Sequence, residues 1–596
     1  MKKFFFAKKP PEPKKTSWYK RLMDWITNGL VIVIFLTLGI FLAQRLPIFS
    51  IANSIFAYNR DNINLTPLLS GNYANATNDF DVAINNLEKS LKSRALHKTA
   101  KDTIHRQLFI LHIKNGNFAA AKRMLNKVKP LIGKTQPQNI GFENLVNLFV
   151  SIDQIKQKKW HGNILRSHNN EFGRRHMAIV SAWGEASRGN HDKALAILQQ
   201  AQKQSRNNGE ILSQHALMKL FLQQPLTIEN LTGNKKSVAI NNLSLAQSRL
   251  YLQSLSQTKK WQDMENFING LDHPLPLILL ASQDNITSQT PLKPIIESPE
   301  DGLSYFVLDI AASLLNNNLE SALLFCQLAH FANDKNPDAA FMLANISGNL
   351  NLTDDAFRIL DNLKKNNNYF HIAHLSENDL YLSIGDDKTA KDNLIKLSEN
   401  YPTIVDYQMA LGRLYMDEKS YRSAEKNYAT AINLIKNYDK SNETWFYYFQ
   451  YAIALERQNK WALAENNFLT AMRLNPNSPD VLNYLGYSWI ERRKNIGRAL
   501  KMLQKANKLA PNNGAILDSL GWAYYQLGKY DTAREYLERA GQLIADDPEV
   551  NDHLGDVYWR LKQKTTAQLF WKKSLENLDV GEPRRARLEK KIRSGL

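Results

Sequence analysis

Two histidines come closest to a chemical site in this chain of 596 residues. His371 and His374 lie three residues apart, so they can share one face of a helix, as metal ligands do. No convincing carboxylate or third histidine accompanies them, and a solvated or packed pair is the better interpretation. The chain also lacks a glycine-rich phosphate loop, a G-x-S-x-G turn, an H-E-x-x-H sequence and paired C-x-x-C sequences. We therefore predict no catalytic residue, no metal site and no cofactor.

Composition limits the class of protein further. Hydrophobic residues make up 43% of the chain, which is enough to build a core. The 26 glycines and 20 prolines are few for this length, so a collagen-like, linker-dominated or turn-rich all-β chain is disfavoured. The single cysteine, Cys326, excludes an internal disulfide and any cysteine-rich metal site within one chain, although it leaves an oxidising compartment open.

Alanines recur at a nearly fixed interval through the second half of the chain. They are separated by 34, 34, 34, 40, 35, 34 and 34 residues, at Ala322, Ala356, Ala390, Ala424, Ala464, Ala499, Ala533 and Ala567. A small residue precedes each of the last five by 12 or 13 positions, at Gly412, Ala452, Gly486, Gly521 and Gly555. A fixed period of about 20 to 50 residues indicates a repeat architecture.

Helix pairing explains such a period. Two helices of about 14 residues, a short turn and a linker make about 34 residues. A small residue on each helix lets the two backbones approach closely where the partner presents a bulky side chain, such as Tyr415, Tyr524 or Tyr558. Neither helix buries its apolar stripe alone, so successive pairs must stack into a right-handed superhelix with one concave and one convex face.

Three segments carry the most regular form of the repeat. They are Leu485-Gly486 with Ala499, Leu503, Ala506 and Pro511; Leu520-Gly521-x-x-Tyr524 with Ala533, Leu537 and Ala540; and Leu554-Gly555-x-x-Tyr558 with Ala567. This pattern closely resembles the tetratricopeptide repeat family over about residues 301–578, with Trp489 in place of the tyrosine and Ser574 in place of the last alanine. The resemblance implies an all-α, right-handed superhelical solenoid. It also places Cys326 at a bulky core position, which predicts a buried, inert thiol.

The resemblance further implies a binding groove, because the first helix of each pair lines the concave face in this family. The residues that would point into the groove are Phe446, Phe449, Asn483, Tyr487, Asp518, Trp522, Tyr525, Asp552 and Trp559. Aromatic rings supply anchoring area, and amides and carboxylates bond a peptide backbone. The alternative is that several of these rings pack against neighbouring helix pairs.

Residues 58–300 carry a weaker form of the pattern. Gly71 precedes Ala83 by 12 residues, and further second helices are expected around Ala121 and Ala194. We interpret this half as divergent helical pairs. Its opening, Leu69-Ser70-Gly71-Asn72-Tyr73, is similar to the start of exported bacterial tetratricopeptide proteins, some of which act as adaptors for envelope enzymes.

The N-terminus predicts a membrane anchor. Residues 1–24 form a basic arm, and residues 25–44 contain an uncharged run from Gly29 to Ala43. Counted from Trp25, this segment reaches about 28 Å as a helix, just enough to cross a hydrocarbon core. The basic arm predicts a cytoplasmic N-terminus and a periplasmic bulk at a bacterial inner membrane. A secretory signal cleaved near Ala57 is the alternative.

The net charge of +19 admits an anionic partner. Residues 1–21 of the arm and residues 581–596 of the basic C-terminal tail, residues 579–596, supply +11 of it. Anionic lipid headgroups account for the arm, and a solvated capping helix accounts for the tail. No nucleic-acid-binding fold accompanies the charge, so we predict no nucleic-acid partner.

These observations predict a membrane-anchored scaffold or adaptor, without enzyme activity, that binds client proteins or peptides in its groove, in envelope assembly or protein quality control. Two alternatives belong to other classes. Residues 58–300 could form an enzyme fused to a repeat tail, or the chain could be a self-associating structural protein of the envelope.

Overall fold

The computed structural model describes residues 66–93, 96–131, 140–162, 171–204, 209–233, 243–271, 276–436, 444–579 and 582–596. Within these ranges the chain is α-helical and contains no strand, which confirms the predicted all-α class. The predicted arm and the predicted membrane span, residues 1–24 and 25–44, lie outside them. None of the helices in the described ranges is both long enough and apolar enough to cross a bilayer.

Contacts divide the described chain into two units, residues 66–393 and residues 394–596. The first unit contains α1 (Thr66–Ala76), α2 (Phe80–Leu91), α3 (Lys98–Lys114), α4 (Phe118–Val128), α5 (Ile140–Lys156), α6 (Glu171–Ser187), α7 (His191–Gln204), α8 (Gly209–Phe221), α9 (Ile228–Thr232), α10 (Leu245–Gln257), α11 (Trp261–Asn269), α12 (Leu277–Ser288), α13 (Pro299–Leu314), α14 (Leu319–Ala332), α15 (Pro337–Asn349), α16 (Thr353–Leu363) and α17 (Phe370–Ser383). The predicted division at residue 300 marks a change in repeat regularity and stays a prediction.

The second unit follows α18 (Asp387–Asn400), the helix that contains the boundary. Its helices are α19 (Val405–Asp417), α20 (Tyr421–Ile435), α21 (Trp445–Glu456), α22 (Trp461–Leu474), α23 (Pro479–Glu491), α24 (Ile496–Leu509), α25 (Gly514–Gln526), α26 (Tyr530–Leu543), α27 (Pro548–Arg560), α28 (Lys564–Glu576) and α29 (Arg584–Ser594).

Local sequence explains where helices begin and where pairs turn. At the start of α13, the Ser298 hydroxyl accepts from the Asp301 N–H while the Asp301 carboxylate accepts from the Ser298 N–H, a reciprocal cap. Within the pairs, the turn contains a residue with positive φ, five positions before the repeating alanine. These residues are Asn78, Gly116, Gly189, Asn351, Gly385, Lys419, Asn459, Gly528 and Lys562. The left-handed residue reverses the chain between the two helices.

The core of the first unit joins distant segments of sequence. Helices α13 and α14 pack against α3, α5 and α6, so one apolar cluster runs from Ala74 to Ile346. Gly302 leaves space for an indole, because a Cβ there would lie 2.1 Å from Cε2 of Trp183. The rings of Phe149 and Phe331 stack with their centroids 5.0 Å apart. The less regular N-terminal helices therefore share a core with the repeats that follow them.

The second unit is built from helix pairs that meet at small residues. The repeating alanines of these pairs are fully buried. The bulky partners of the glycines differ from the predicted tyrosines. A Cβ would lie 2.3 Å from the Tyr428 ring at Gly412, 2.7 Å from Leu537 at Gly521 and 2.3 Å from the Trp571 ring at Gly555. Each tyrosine, Tyr415, Tyr524 or Tyr558, is on the same helix as the glycine near it, and the residue that faces the glycine lies four positions after the repeating alanine. A contact between these tyrosines and the alanines of the partner helix stays a prediction.

Candidate protein-binding face

The first helices of four successive pairs, α21, α23, α25 and α27, carry the nine residues predicted to line a groove. The structure separates these residues by exposure. Phe446 is 43% exposed, whereas Phe449, Asp518 and Trp522 are buried. The remaining five are half-buried: Asn483, Tyr487, Tyr525, Asp552 and Trp559. Helix α25 contacts both α23 and α27, so its inward side chains are covered by those neighbours.

Trp522 lies at the centre of the covered layer. Its ring stacks on His553 at 4.0 Å and on Tyr525 at 4.6 Å between centroids. Its indole N–H donates to a carboxylate oxygen of Glu491 on α23. Trp522 therefore connects three first helices, and the alternative of packing between pairs applies to this residue. Replacing Trp522 would disturb the packing of the helix pairs as well as the binding of any partner.

Asp518 forms a buried pair with His553, a residue that was not predicted from the sequence. The Asp518 Oδ1 and His553 Nδ1 atoms are 2.9 Å apart. Burial lowers the pKa of His553, but the charge and hydrogen bond of Asp518 and the charges of Glu549 and Asp552 together outweigh burial and raise that pKa to about 9. Burial also raises the pKa of Asp518, against the opposing charge of His553. The pair holds α25 against α27 and is not accessible to a peptide.

The C-terminal helix α29 and the residue after it cover the two predicted groove residues of the last pair, Asp552 and Trp559. Lys591, itself buried, donates to the Asp552 carboxylate at 2.5 Å and to the Asp556 carboxylate at 2.6 Å. At Gly595, a Cβ would lie 1.9 Å from Cζ2 of Trp559. Asp552 and Trp559 thus pack against the end of the chain. The predicted tail, residues 579–596, includes this helix, and its Lys591 is not a solvated charge.

Four of the predicted residues stay open to solvent and form what we call the accessible row, Phe446, Asn483, Tyr487 and Tyr525. The Tyr487 hydroxyl donates to Glu549 at 2.6 Å, and the Arg560 Nε–H donates to the Tyr525 hydroxyl at 3.3 Å. Burial, followed by the charge of Glu549, raises the pKa of Tyr487.

Asn483 has an unused acceptor in this row. Within the described part of the chain, its Oδ1 atom is buried and has no hydrogen-bond donor. A buried carbonyl oxygen without a donor costs free energy, and rotation of this half-buried side chain would present the oxygen to a backbone N–H of a bound chain. The accessible row therefore combines exposed aromatic area with an acceptor that lacks a donor.

The residues considered for metal and thiol chemistry, His371, His374 and Cys326, contact other side chains or lie in the core. His374 Nδ1 lies 3.8 Å from Glu377 Oε2, and His371 and His374 each meet the edge of the Phe370 ring. No metal-binding group of three such residues occurs among the described residues. Cys326 is fully buried, and burial raises the pKa of its thiol, which confirms the predicted inert cysteine.

A second polar cluster, also missed in the sequence, lies in the first unit. Arg249 on α10 donates to Asp338 Oδ1 at 2.7 Å, and the hydroxyls of Tyr305 and Tyr369 donate to the same carboxylate. Burial raises the pKa of Asp338, but the charge of Arg249 and these hydrogen bonds outweigh it and lower that pKa. The cluster joins α10, α13, α15 and the start of α17.

Comparisons with known proteins agree with these helix pairs. Residues 450–514 and 492–554 match the tetratricopeptide repeat family. This chain contains tetratricopeptide repeats. A TPR repeat-containing protein of Pseudomonas aeruginosa is 30% identical over 181 residues, and the match spans 28% of this chain and 28% of that protein. The whole relative is therefore not a guide to this chain's activity.

Solved structures with similar helices are distant. The Cut9–Hcn1 hetero-tetramer of APC/C is 16% identical, with 91% of this chain and 98% of that chain covered at a TM-score of 0.39. Yeast Tom70 is 13% identical, with 89% and 95% covered at a TM-score of 0.32. These scores are too low to support an argument about the function of this chain.

Proposed function

We propose that this chain is a membrane-anchored scaffold whose tetratricopeptide repeats bind client proteins or peptides along the accessible row. The observation that carries the proposal is the exposed ring of Phe446 together with the unsatisfied Asn483 acceptor on the next first helix. An exposed aromatic ring gains most from burial against a partner, and an acceptor without a donor favours an extended or helical chain that brings one.

The contacts of the other predicted groove residues support limiting the proposed binding surface to the accessible row. Asp518 and Trp522 already hold neighbouring helices, and Asp552 and Trp559 are covered by α29. A client that displaced them would have to replace buried hydrogen bonds and an ion pair. Contact with Phe446 requires no such rearrangement, because this ring is exposed in the free chain.

Anchoring is the second part of the proposal. The apolar run in residues 25–44, preceded by a basic arm, supports a single-pass inner-membrane protein with a cytoplasmic N-terminus and a periplasmic bulk. A tether raises the effective concentration of clients at the membrane surface. Sequencing the N-terminus of the mature protein tests this part, since a start near Tyr58 would mean that the segment is cleaved.

The binding test compares two exposed apolar residues on the two helices of one pair. Phe446, on the first helix, is 43% exposed, and Leu463, on the second, is 54% exposed. A photo-crosslinking amino acid at each position, in cells, should give client adducts at 446 and not at 463. With an identified client, Phe446→Ala should weaken binding at least about tenfold, as at an aromatic hot spot, and Leu463→Ala should not. Equal adducts or equal affinities would remove the accessible row from the proposal.

The same experiment separates the rivals. A structural, self-associating protein would give adducts between copies of this chain and a concentration-dependent mass in sedimentation. For the enzyme alternative, the described part of residues 58–300 contains helices and no strand, so the feature that would favour a separate enzyme domain does not occur in that part. We propose envelope assembly or quality control as the setting of the scaffold.

A further inference from the structure

A cavity of about 410 Å³ lies between α6, α8 and α13 in the first unit. Its polar lining comes from all three helices: Arg175, His176, Glu210, Ser213, Asp309 and Ser313. None of these residues was predicted from the sequence. They belong to the first unit, so a binding site in this cavity is independent of the accessible row and of the proposed function.

Asp309 is held in place by a chain of buried groups. Trp183 and Gln214 are both fully buried, and the indole N–H of Trp183 donates to Gln214 Oε1 at 2.8 Å. That bond fixes the orientation of the amide, so Nε2 of Gln214 points to Asp309 Oδ2, 3.5 Å away. The carboxylate is therefore positioned by residues that do not themselves enter the cavity.

The charge of Asp309 is not balanced within the described residues, where it has no ion-pair partner. Its side chain is exposed to solvent at the cavity, and the charge of Glu210 repels that of Asp309. Glu210 itself has a partner, because His176 Nε2 lies 3.2 Å from its Oε1.

We propose that this cavity binds a primary ammonium group, with the Asp309 carboxylate as its counter-ion. An ammonium has three donors, and the cavity offers the Asp309 carboxylate and the hydroxyl oxygens of Ser213 and Ser313 as acceptors. His176 lies against Glu210, so Asp309 is the carboxylate of the lining that has no ion-pair partner among the described residues and can accept a cation.

The ammonium has two sources, a lysine side chain of a bound protein or a free diamine. The guanidinium of an arginine is a weaker candidate, because its five planar donors need a bidentate carboxylate. Gln214 already occupies one side of the Asp309 carboxylate.

Calorimetric titration of the full-length chain at pH 8.5, where Asp309 is ionised, tests the proposal. The probes are cadaverine with pentane-1,5-diol as its neutral counterpart, and Nα-acetyl-lysine amide with Nα-acetyl-norleucine amide. We expect binding of at least one amine and of neither neutral compound. If cadaverine binds more tightly than Nα-acetyl-lysine amide, the source is a free diamine. The reverse order identifies a lysine side chain as the source.

The variants Asp309→Asn and Ser313→Ala complete the test. Asp309→Asn keeps the shape and removes the charge, so affinity for the amine should fall at least tenfold with an unchanged thermal midpoint. Ser313→Ala removes one of the hydroxyl acceptors and keeps the charge, so it should lower the affinity less than Asp309→Asn does. Absence of amine binding, equal binding of the neutral compound, or unchanged affinity in Asp309→Asn would each overturn the proposal.

Discussion

The pair between Asp518 and His553 makes the stability of the second unit depend on pH. His553 is 6% exposed, and burial lowers its pKa. The Asp518 carboxylate 2.9 Å away, through its charge and hydrogen bond, and the charges of Glu549 and Asp552 raise it. Together they outweigh burial, so the pKa in the folded chain is about 9 compared with 6.5 for an unperturbed histidine. At neutral pH the imidazole is therefore charged and lies against the Trp522 ring.

The difference between these pKa values corresponds to about 3 kcal/mol of free energy of unfolding. A group whose pKa is higher in the folded state than in the unfolded state contributes fully to the free energy of unfolding at pH values below its unfolded pKa. The contribution is then lost as pH rises through the folded value. We therefore expect the second unit to lose about 3 kcal/mol between pH 6.5 and pH 9.5 from His553 alone.

Urea unfolding followed by tryptophan fluorescence, at several pH values in this window, measures the effect. His553→Gln keeps a hydrogen-bonding side chain without the titration, so the difference between the two chains isolates His553. Carbon-13 NMR of labelled histidine should give one resonance titrating near pH 9 that His553→Gln removes. Asp518→Asn removes the largest effect that opposes burial and should move that titration to lower pH. A native titration already below pH 6.5, or an equal pH dependence in His553→Gln, would mean that burial outweighs the carboxylate.

Two further predictions concern packing. Asp338→Ala leaves Arg249 without its carboxylate and should lower the free energy of unfolding in urea by about 3 kcal/mol. Replacing Asp338 by Leu and Arg249 by Met in one chain should cost less than this. A double-variant loss equal to the sum of the two single losses would contradict this coupling. Gly412→Ala places a methyl group 2.3 Å from the Tyr428 ring and should cost about 1–3 kcal/mol. The matched change Gly497→Ala meets no atom within 4 Å and should stabilise by up to about 1 kcal/mol, so equal shifts in thermal midpoint would refute the packing argument.

The helical class and the repeat were readable from the sequence because they rest on side-chain size. Two helix backbones approach closely only where a small residue stands, so alanines such as Ala424 and Ala533 had to recur, and both are fully buried. The identity of the residue that fills the space was not readable in the same way. Tyr428, Leu537 and Trp571 face the glycines, and their sizes differ too much to form a visible pattern.

The turns show how a regular feature can be hidden by composition. A left-handed residue precedes the repeating alanine by five positions, yet it is a lysine at Lys419 and Lys562 and a glycine at Gly528. Only the glycine is a recognisable signal for positive φ. At the other positions the helix pairing imposes the conformation, and the sequence alone does not reveal it.

The candidate site was only partly predictable, because periodicity fixes which face a residue occupies and not how closely successive first helices approach. Phe446 and Trp522 belong to the same predicted groove, but Phe446 is exposed whereas Trp522 is stacked between two rings. The closeness of α25 to its neighbours decides this difference. The coverage of Trp559 by the end of the chain likewise depends on where the repeats stop.

One sequence signal could have found several charged pairs between successive repeats. In a stack of similar units, residues one period apart face each other, so complementary charges separated by the period are candidates for contact. The observed pairs follow this spacing, with separations of 35, 36, 35 and 35 residues for Glu425 with Lys460, Glu456 with Arg492, Asp518 with His553, and Asp556 with Lys591. A search for complementary charges at the period would therefore have marked Asp518 as a structural residue. Phe446, an apolar ring that is 43% exposed, takes part in no such pair, which is the physical reason for placing the client on that side of the row.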